Sequence, residues 1–181
     1  SEQLALPAYL EQHHDRPFQR LFSGDLRAYA LANQVDYLMF RAEQEAAIRT
    51  QASHGIQDGG LDLDFHVFTR HFLNKGYLAN EEHDLCRRLY ELARRFLPMP
   101  DVIVSMKAPM EVVLRRFARR KRDLEIAKAQ DLSALQALLD EWLAHVCGVP
   151  VVAVDAAIED AEYSGQLEAL APCLKAHLES H

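Results

Sequence analysis

The chain has 181 residues, 49% of them apolar and 26% charged, with a net charge of −7. That is enough chain for one domain with a sizeable core, and too apolar for a disordered segment. The acidic balance argues against a general nucleic-acid binder, whose footprint is basic, and no apolar run approaches the roughly 18 residues that cross a bilayer. No signal peptide is read at the start. An odd set of three cysteines, Cys86, Cys147 and Cys173, lacks CxxC or His/Cys metal spacing. It points to reduced thiols in a cytoplasm, used as small core hydrophobes. No repeat or linker divides the chain, so residues 1–181 read as a single domain.

In chain order, a short strand is expected around Ala8–Glu11, before a polar turn. Asp25 is a plausible N-cap for a long helix running to about Arg49. Ile56 and Gln57 suit a short strand, and Gly59–Gly60 demand a turn at its end. A second helix is expected through Phe65, Phe68 and Phe72, ending near Gly76. Asn80 reads as the N-cap of the next helix, with acidic residues in its first turn and Leu85, Leu89 and Phe96 on one face. Pro98 and Pro100 stop it. The run Val102–Met106 reads as a buried strand, and Pro109 opens a helix that grows steadily more basic. Asp131 or Ser133 caps a further amphipathic helix with Leu135, Leu138, Leu139 and Trp142 facing the core. Gly148 ends it, VPVVAVD is a second near-continuous apolar strand covered on both faces, and a last helix spans about Asp160–Leu178.

Strands alternating with helices imply an α/β fold: a parallel sheet flanked by helices in three layers. Ligands in such sheets sit beyond the carboxyl ends of the strands. Three strand ends carry polar or turn residues: Glu11 with Gln12, Asp58 with Gly59, and Asp155. The basic helix adds a fourth feature, RRFARRKR at 115–122, in which six of eight residues are cations. Two or three would complement a helix dipole; six that repel one another suggest an anionic ligand, phosphate being the usual one for arginine forks. A solvated basic face is the alternative.

These residues resemble the deoxynucleoside kinases. Glu11, followed six residues on by Pro17-Phe18, is similar to the family's Glu-Pro-Val…Asn-Pro-Phe segment. RAYALANQVDYLMFR carries Gln34 and, seven residues later, Arg41, which is the family spacing. QDGGLDLDFHVF resembles the Asp-Arg-Ser segment, with Asp58, Asp64 and Phe68 on matching positions, and the stretch from Gly76 to Glu125 resembles the long helix, strand and lid that follow. The resemblance implies phosphoryl transfer from ATP, with Mg2+, to the 5'-hydroxyl of a deoxynucleoside in a P-loop kinase-like fold, by a homodimer; the cytoplasmic setting, the lack of a membrane segment and the disfavouring of nucleic acid rest on the cysteines, the apolar runs and the charge. It implies Glu11 as general base, within about 3 Å of the attacking oxygen. Gln34 would read the base edge, its amide offering a donor and an acceptor side by side. Arg41 and Asp64 would lie near the base, and Phe68 would stack on it, although a helix-spaced aromatic is otherwise a core residue. Arg116, Arg120 and Arg122 match lid and pre-lid arginines that stabilise the transferring phosphoryl charge, and Glu125 matches the lid's acidic residue. Asp155 falls near where the family receives adenine; a strand-end Asp serves equally as a helix cap. No protein metal ligand is expected.

The sequence departs from the family pattern in three places. The phosphate-binding loop G-x-x-x-x-G-K-[ST], whose amides and Lys cradle the donor phosphates, is not in these residues, so the first strand–helix unit reads as missing. The Arg expected after Asp58 is Gly59, and Lys121 stands where the lid has Gly. The expectation is therefore a deoxynucleoside kinase-like protein, with a catalytically inactive binding or scaffold protein on the same fold as the alternative.

Overall fold

Asp25 starts the longest element by a local mechanism. Its carboxylate accepts from the amides of Arg27 (3.1 Å) and Ala28 (3.0 Å), which satisfies two donors that a helix start leaves open. Helix α2 then runs Leu26–Arg49, preceded by β1 (Ala8–Tyr9) and by α1 (Pro17–Gly24), whose Pro17 is preset for the first helical position. The computed structural model describes residues 8–9, 16–51, 54–120, 128–157 and 164–178. These fall into two compact units, one of Leu6–Pro98 with Arg122–Ala144, the other of Met99–Lys121 with Ser1–Ala5 and His145–His181.

In the first unit β1 pairs in parallel with β2 (Ile56–Gln57), Ala8 opposite Ile56, and Asp58 N–H continues the ladder to the Tyr9 carbonyl at 2.9 Å. A helical run follows in three parts: α3 (Leu61–Leu63), a π-helical turn (Asp64–Thr69) and α4 (Arg70–Asn74). The periodicity predicts an uninterrupted helix here, and the backbone does stay right-handed across both joins. The π-turn widens it by shifting hydrogen bonds from i+4 to i+5. Helix α5 spans Asn80–Phe96. After the described residues resume at Lys128, a 3-10 turn (Ala129–Asp131) leads into α7 (Leu132–His145). Two apolar clusters hold the unit: Phe22, Ala30, Phe72 and Leu78, with Phe22 edge-on to Phe72 at 5.0 Å, and Leu38, Leu61, Phe65 and Cys86.

The second unit holds β3 (Ile103–Lys107), α6 (Met110–Arg120), β4 (Val151–Asp155) and α8 (Ser164–Leu178). The strands are parallel, Ile103 opposite Val151 through Lys107 opposite Asp155, and α8 packs beside β4 with Ala171 and Leu174 buried. Both strands were expected to be covered on both faces. Instead Val104 and Met106, on the face of β3 opposite buried Ser105, are exposed, as is Val151.

Four local expectations change. Asn80 is the first helical residue and Ala79 the cap: the Glu82 carboxylate reaches back to the Ala79 amide at 2.6 Å, which serves the helix start without an Asn side chain. Leu85 and Phe96 face outward with Leu92, because α5 buries the face carrying Cys86, Leu89 and Tyr90. Cys86 is a buried thiol as expected, but Cys147, next to the turn at Gly148, is exposed. Asp131 reaches back to the Lys128 amide at 2.9 Å and outward to Lys75 at 2.7 Å, rather than standing as a lone cap of α7.

Candidate functional site

One face of α2 is polar yet buried: Asn33, Gln34, Arg41, Gln44 and Glu45 recur at helical spacing. Polar groups withdrawn from water are costly unless bonded, so their partners define what the face is for. Gln34, only 1% exposed, donates from Nε2 to the backbone carbonyl of Asp64 at 3.1 Å. Arg41, 4% exposed, spreads its guanidinium over acceptors on the π-turn, the strand end and its own helix. Nε meets Asp64 Oδ2 at 2.8 Å, and Nη1 meets the Asp58 carbonyl at 2.6 Å and Gln44 Oε1 at 3.3 Å. Gln57, at the end of β2, donates from Nε2 to the Arg41 carbonyl and to Gln44 Oε1, each at 3.1 Å. The strand end, the long helix and the π-turn are thereby tied together through Arg41.

The turn after β2 has its own constraint. Gly59 has φ +77°, and a Cβ built there would lie 2.9 Å from Arg41 Nη2. Gly60, at φ +156°, follows it. A side chain here would adopt a strained left-handed backbone and push against the guanidinium, both of which glycine avoids.

A second layer lies behind the first, and sequence reasoning missed it. Asp62 accepts from Tyr90 Oη (2.7 Å) and from Arg94 Nε (3.1 Å) and Nη2 (2.6 Å). Arg94 Nη1 donates to Glu45 Oε1 at 2.8 Å, and Arg49 Nη2 shares that oxygen at 2.9 Å. Asp62 and Glu45 together hold the Arg94 guanidinium above its ordinary range against the opposing effect of burial. Burial and the Asp62 carboxylate likewise push the Tyr90 phenol up. Tyr90 stacks on Phe65 at 4.4 Å, and His66, which contacts Tyr90 Oη at 3.2 Å, stacks on Trp142 at 5.9 Å. The available signals were Glu45 and Arg49 at i, i+4, and an Asp beside apolar Leu61 and Leu63. Nothing local pointed to Arg94.

Of the residues singled out from the sequence, Gln34, Arg41 and Asp64 meet directly, and Phe68 lies half-buried on the same π-turn. Arg116 (half-buried) and Arg120 (exposed) are on α6 in the other unit, where Asp155 is exposed at the end of β4 and accepts from the Ala157 amide at 2.8 Å. Asp155 thus caps its own turn. Glu11, Gln12, Lys121, Arg122 and Glu125 lie outside the described residues. Among the described residues no three His, Cys, Asp or Glu side chains are grouped as metal ligands.

A profile of the deoxynucleoside kinase family matches residues 7–169. The deoxyadenosine kinase of Dictyostelium discoideum is 30% identical over 139 residues, which cover 77% of this chain and 56% of that protein. The deoxyadenosine/deoxycytidine kinase of Bacillus subtilis is 21% identical over 155 residues, 84% of this chain and 71% of that one. The chain thus spans little more than half the length of the Dictyostelium relative. Among solved structures, deoxyadenosine kinase from M. mycoides with bound dCTP superposes with a TM-score of 0.78 at 17% identity, over 97% of this chain and 89% of that one. The same enzyme with products dCMP and a flexible dCDP gives 0.74. At that identity the likeness establishes the α/β kinase fold, and the profile match over most of the sequence establishes the lineage: this chain belongs to the deoxynucleoside kinase family.

Proposed function

We propose that the α2 and π-turn unit binds a deoxynucleoside, and that the protein transfers a phosphoryl group from ATP to its 5'-hydroxyl. The observation that carries this is the buried junction of Gln34, Arg41 and Asp64. Three polar side chains from two elements, otherwise expensive to bury, converge where a base edge would be read. Glu11 is the proposed general base. Phe68 is the proposed stacking ring. Arg116, Arg120, Arg122 and Glu125 would act at the phosphates, and Asp155 near the adenine of the donor. Mg2+ would arrive with ATP, held largely through the nucleotide phosphates. The proposed setting is a cytoplasmic homodimer; no described helix is long and apolar enough to cross a membrane.

The second reading, a binding protein that has lost catalysis, is favoured by Gly59. An arginine there would need the left-handed backbone, and its Cβ would lie 2.9 Å from Arg41 Nη2, so one of the two would have to shift. ATP consumption with each deoxynucleoside, measured on the 181-residue chain and on the full reading frame, separates the two. Turnover by either establishes the kinase. Calorimetric binding of a deoxynucleoside without turnover establishes the binding protein, and neither heat nor turnover sinks both.

A further inference from the structure

The Asp64 carbonyl oxygen is engaged by two side chains at once. Thr69 Oγ1 donates to it at 2.9 Å, and Gln34 Nε2 donates to it at 3.1 Å. Thr69 is 0% exposed. A threonine hydroxyl that turns back on its own helix ordinarily reaches the carbonyl three or four residues earlier. Here it reaches five residues back, which the i+5 register of the π-turn makes possible. The π-turn is therefore the device that brings Thr69 and Gln34 to one oxygen.

An amide has polarity: Nε2 only donates and Oε1 only accepts. While Nε2 is bound to a carbonyl, Gln34 offers its second N–H and its Oε1 in one order only. Reversing the amide would set Oε1 against the Asp64 carbonyl, two acceptors facing each other in a buried place. The carboxylate of the same Asp64 is held on its other side by Arg41 Nε at 2.8 Å, so main chain and side chain of Asp64 are both fixed.

We propose that Thr69 is a positioning residue for base recognition. By holding the Asp64 carbonyl it keeps in place, facing Gln34, the acceptor that fixes the donor–acceptor order of the Gln34 amide. The site then discriminates an amino-bearing base edge, a ring-nitrogen acceptor beside an exocyclic amino donor, from an oxo-bearing edge, a ring N–H beside a carbonyl. This rests on the reading of Gln34 as the base-edge contact.

The experiment is calorimetric binding of deoxyadenosine, deoxycytidine, deoxyguanosine and thymidine to the wild type, Thr69→Val and Thr69→Ser. The wild type is expected to separate the amino and oxo classes by at least about tenfold, which corresponds to about 1.4 kcal/mol. Thr69→Val, equal in shape but without the hydroxyl, should collapse that ratio, and Thr69→Ser should restore it. An unchanged ratio in Thr69→Val overturns the proposal, as does a collapsed ratio that Thr69→Ser fails to rescue. Should Thr69→Val not fold, the Gln34 side-chain amide resonances of the wild type decide. One N–H proton protected from solvent exchange and its twin unprotected supports a fixed amide; equal exchange overturns it. If the wild type binds none of the four, the base-edge reading itself falls, and the amide resonances still report whether the hydroxyl–carbonyl–amide lock exists.

Discussion

Arg41 shows how far a single side chain can be over-determined. Its guanidinium is bound to Asp64, Asp58 and Gln44, and Gly59 is shaped around it. Gly59→Ala should destabilise by about 1–2 kcal/mol from the left-handed backbone alone. Each kcal/mol lowers the melting temperature by about 2–4 °C in a chain of this size, so thermal denaturation reads it directly. An unchanged melting curve would mean that position 59 does not hold the left-handed backbone. Arg94 is a stronger case, since its side chain is 12% exposed and bridges Asp62 and Glu45. Removing one partner of a buried ionic network leaves the others uncompensated. Arg94→Ala should therefore cost about 3–5 kcal/mol in urea unfolding. Arg87→Ala, which breaks only the exposed pairs to Asp84 and Glu91, should cost less than about 1 kcal/mol. Equal losses would show that the network does not hold the fold.

At the scale of elements, α7 and the 3-10 turn before it dock on the π-turn and the α4 segment through His66 on Trp142, Arg70 on Glu141 at 3.1 Å, and Lys75 with His71 around Asp131. Burial lowers the pKa of His66 and of His71 below the ordinary 6.5, with Asp62 opposing at His66 and Asp131 at His71. His83, facing Arg70, Arg87 and Asp84, is lowered in the same way. A histidine held neutral in the folded state binds its proton more readily when unfolded. Its stabilising effect is full above the ordinary value and is lost as pH falls from there toward the depressed one. Folding free energy should thus decline as pH drops below 6.5, before ordinary carboxylates titrate. Denaturant unfolding at pH 7.5 and 5.5 is the check, and a flat profile across that interval would refute it. Lys75 and the Lys128 amide outweigh burial and keep Asp131 below its ordinary value, so its contribution is lost only at lower pH, under 3.8.

For the whole molecule, the outward face of α5 bears on the proposed homodimer. Leu85, Leu92 and Phe96 lie on one helical stripe, Phe96 being 77% exposed. Sedimentation should show a dimer for the wild type and a monomer for Leu92→Glu/Phe96→Glu. The monomer's own core should survive, because neither side chain contributes to it. A wild-type monomer would remove the homodimer, and a variant that stays dimeric would move the interface elsewhere.

The sequence by itself determined what acts over a few residues. The Asp25 cap, the proline stops at Pro98 and Pro100, the glycine turn after Asp58 and the two strands at Ile103–Lys107 and Val151–Asp155 were legible because their causes are local. The pairing of Gln34, Arg41 and Asp64 was legible only through their order along the chain, matched to a family. What the tertiary structure decided was partnership. Arg94 with Asp62 and Glu45, and Asp131 with Lys75, join residues far apart in the chain, and no periodicity records such a bond. The π-turn was hidden because Phe65, Phe68 and Phe72 satisfy an α pattern, and only the backbone register over Asp64–Thr69 shows the wider turn. The outward placement of Phe96 was likewise undecidable locally, because an apolar side chain on an amphipathic helix can serve a core or a partner, and the packing around Cys86 chose between them.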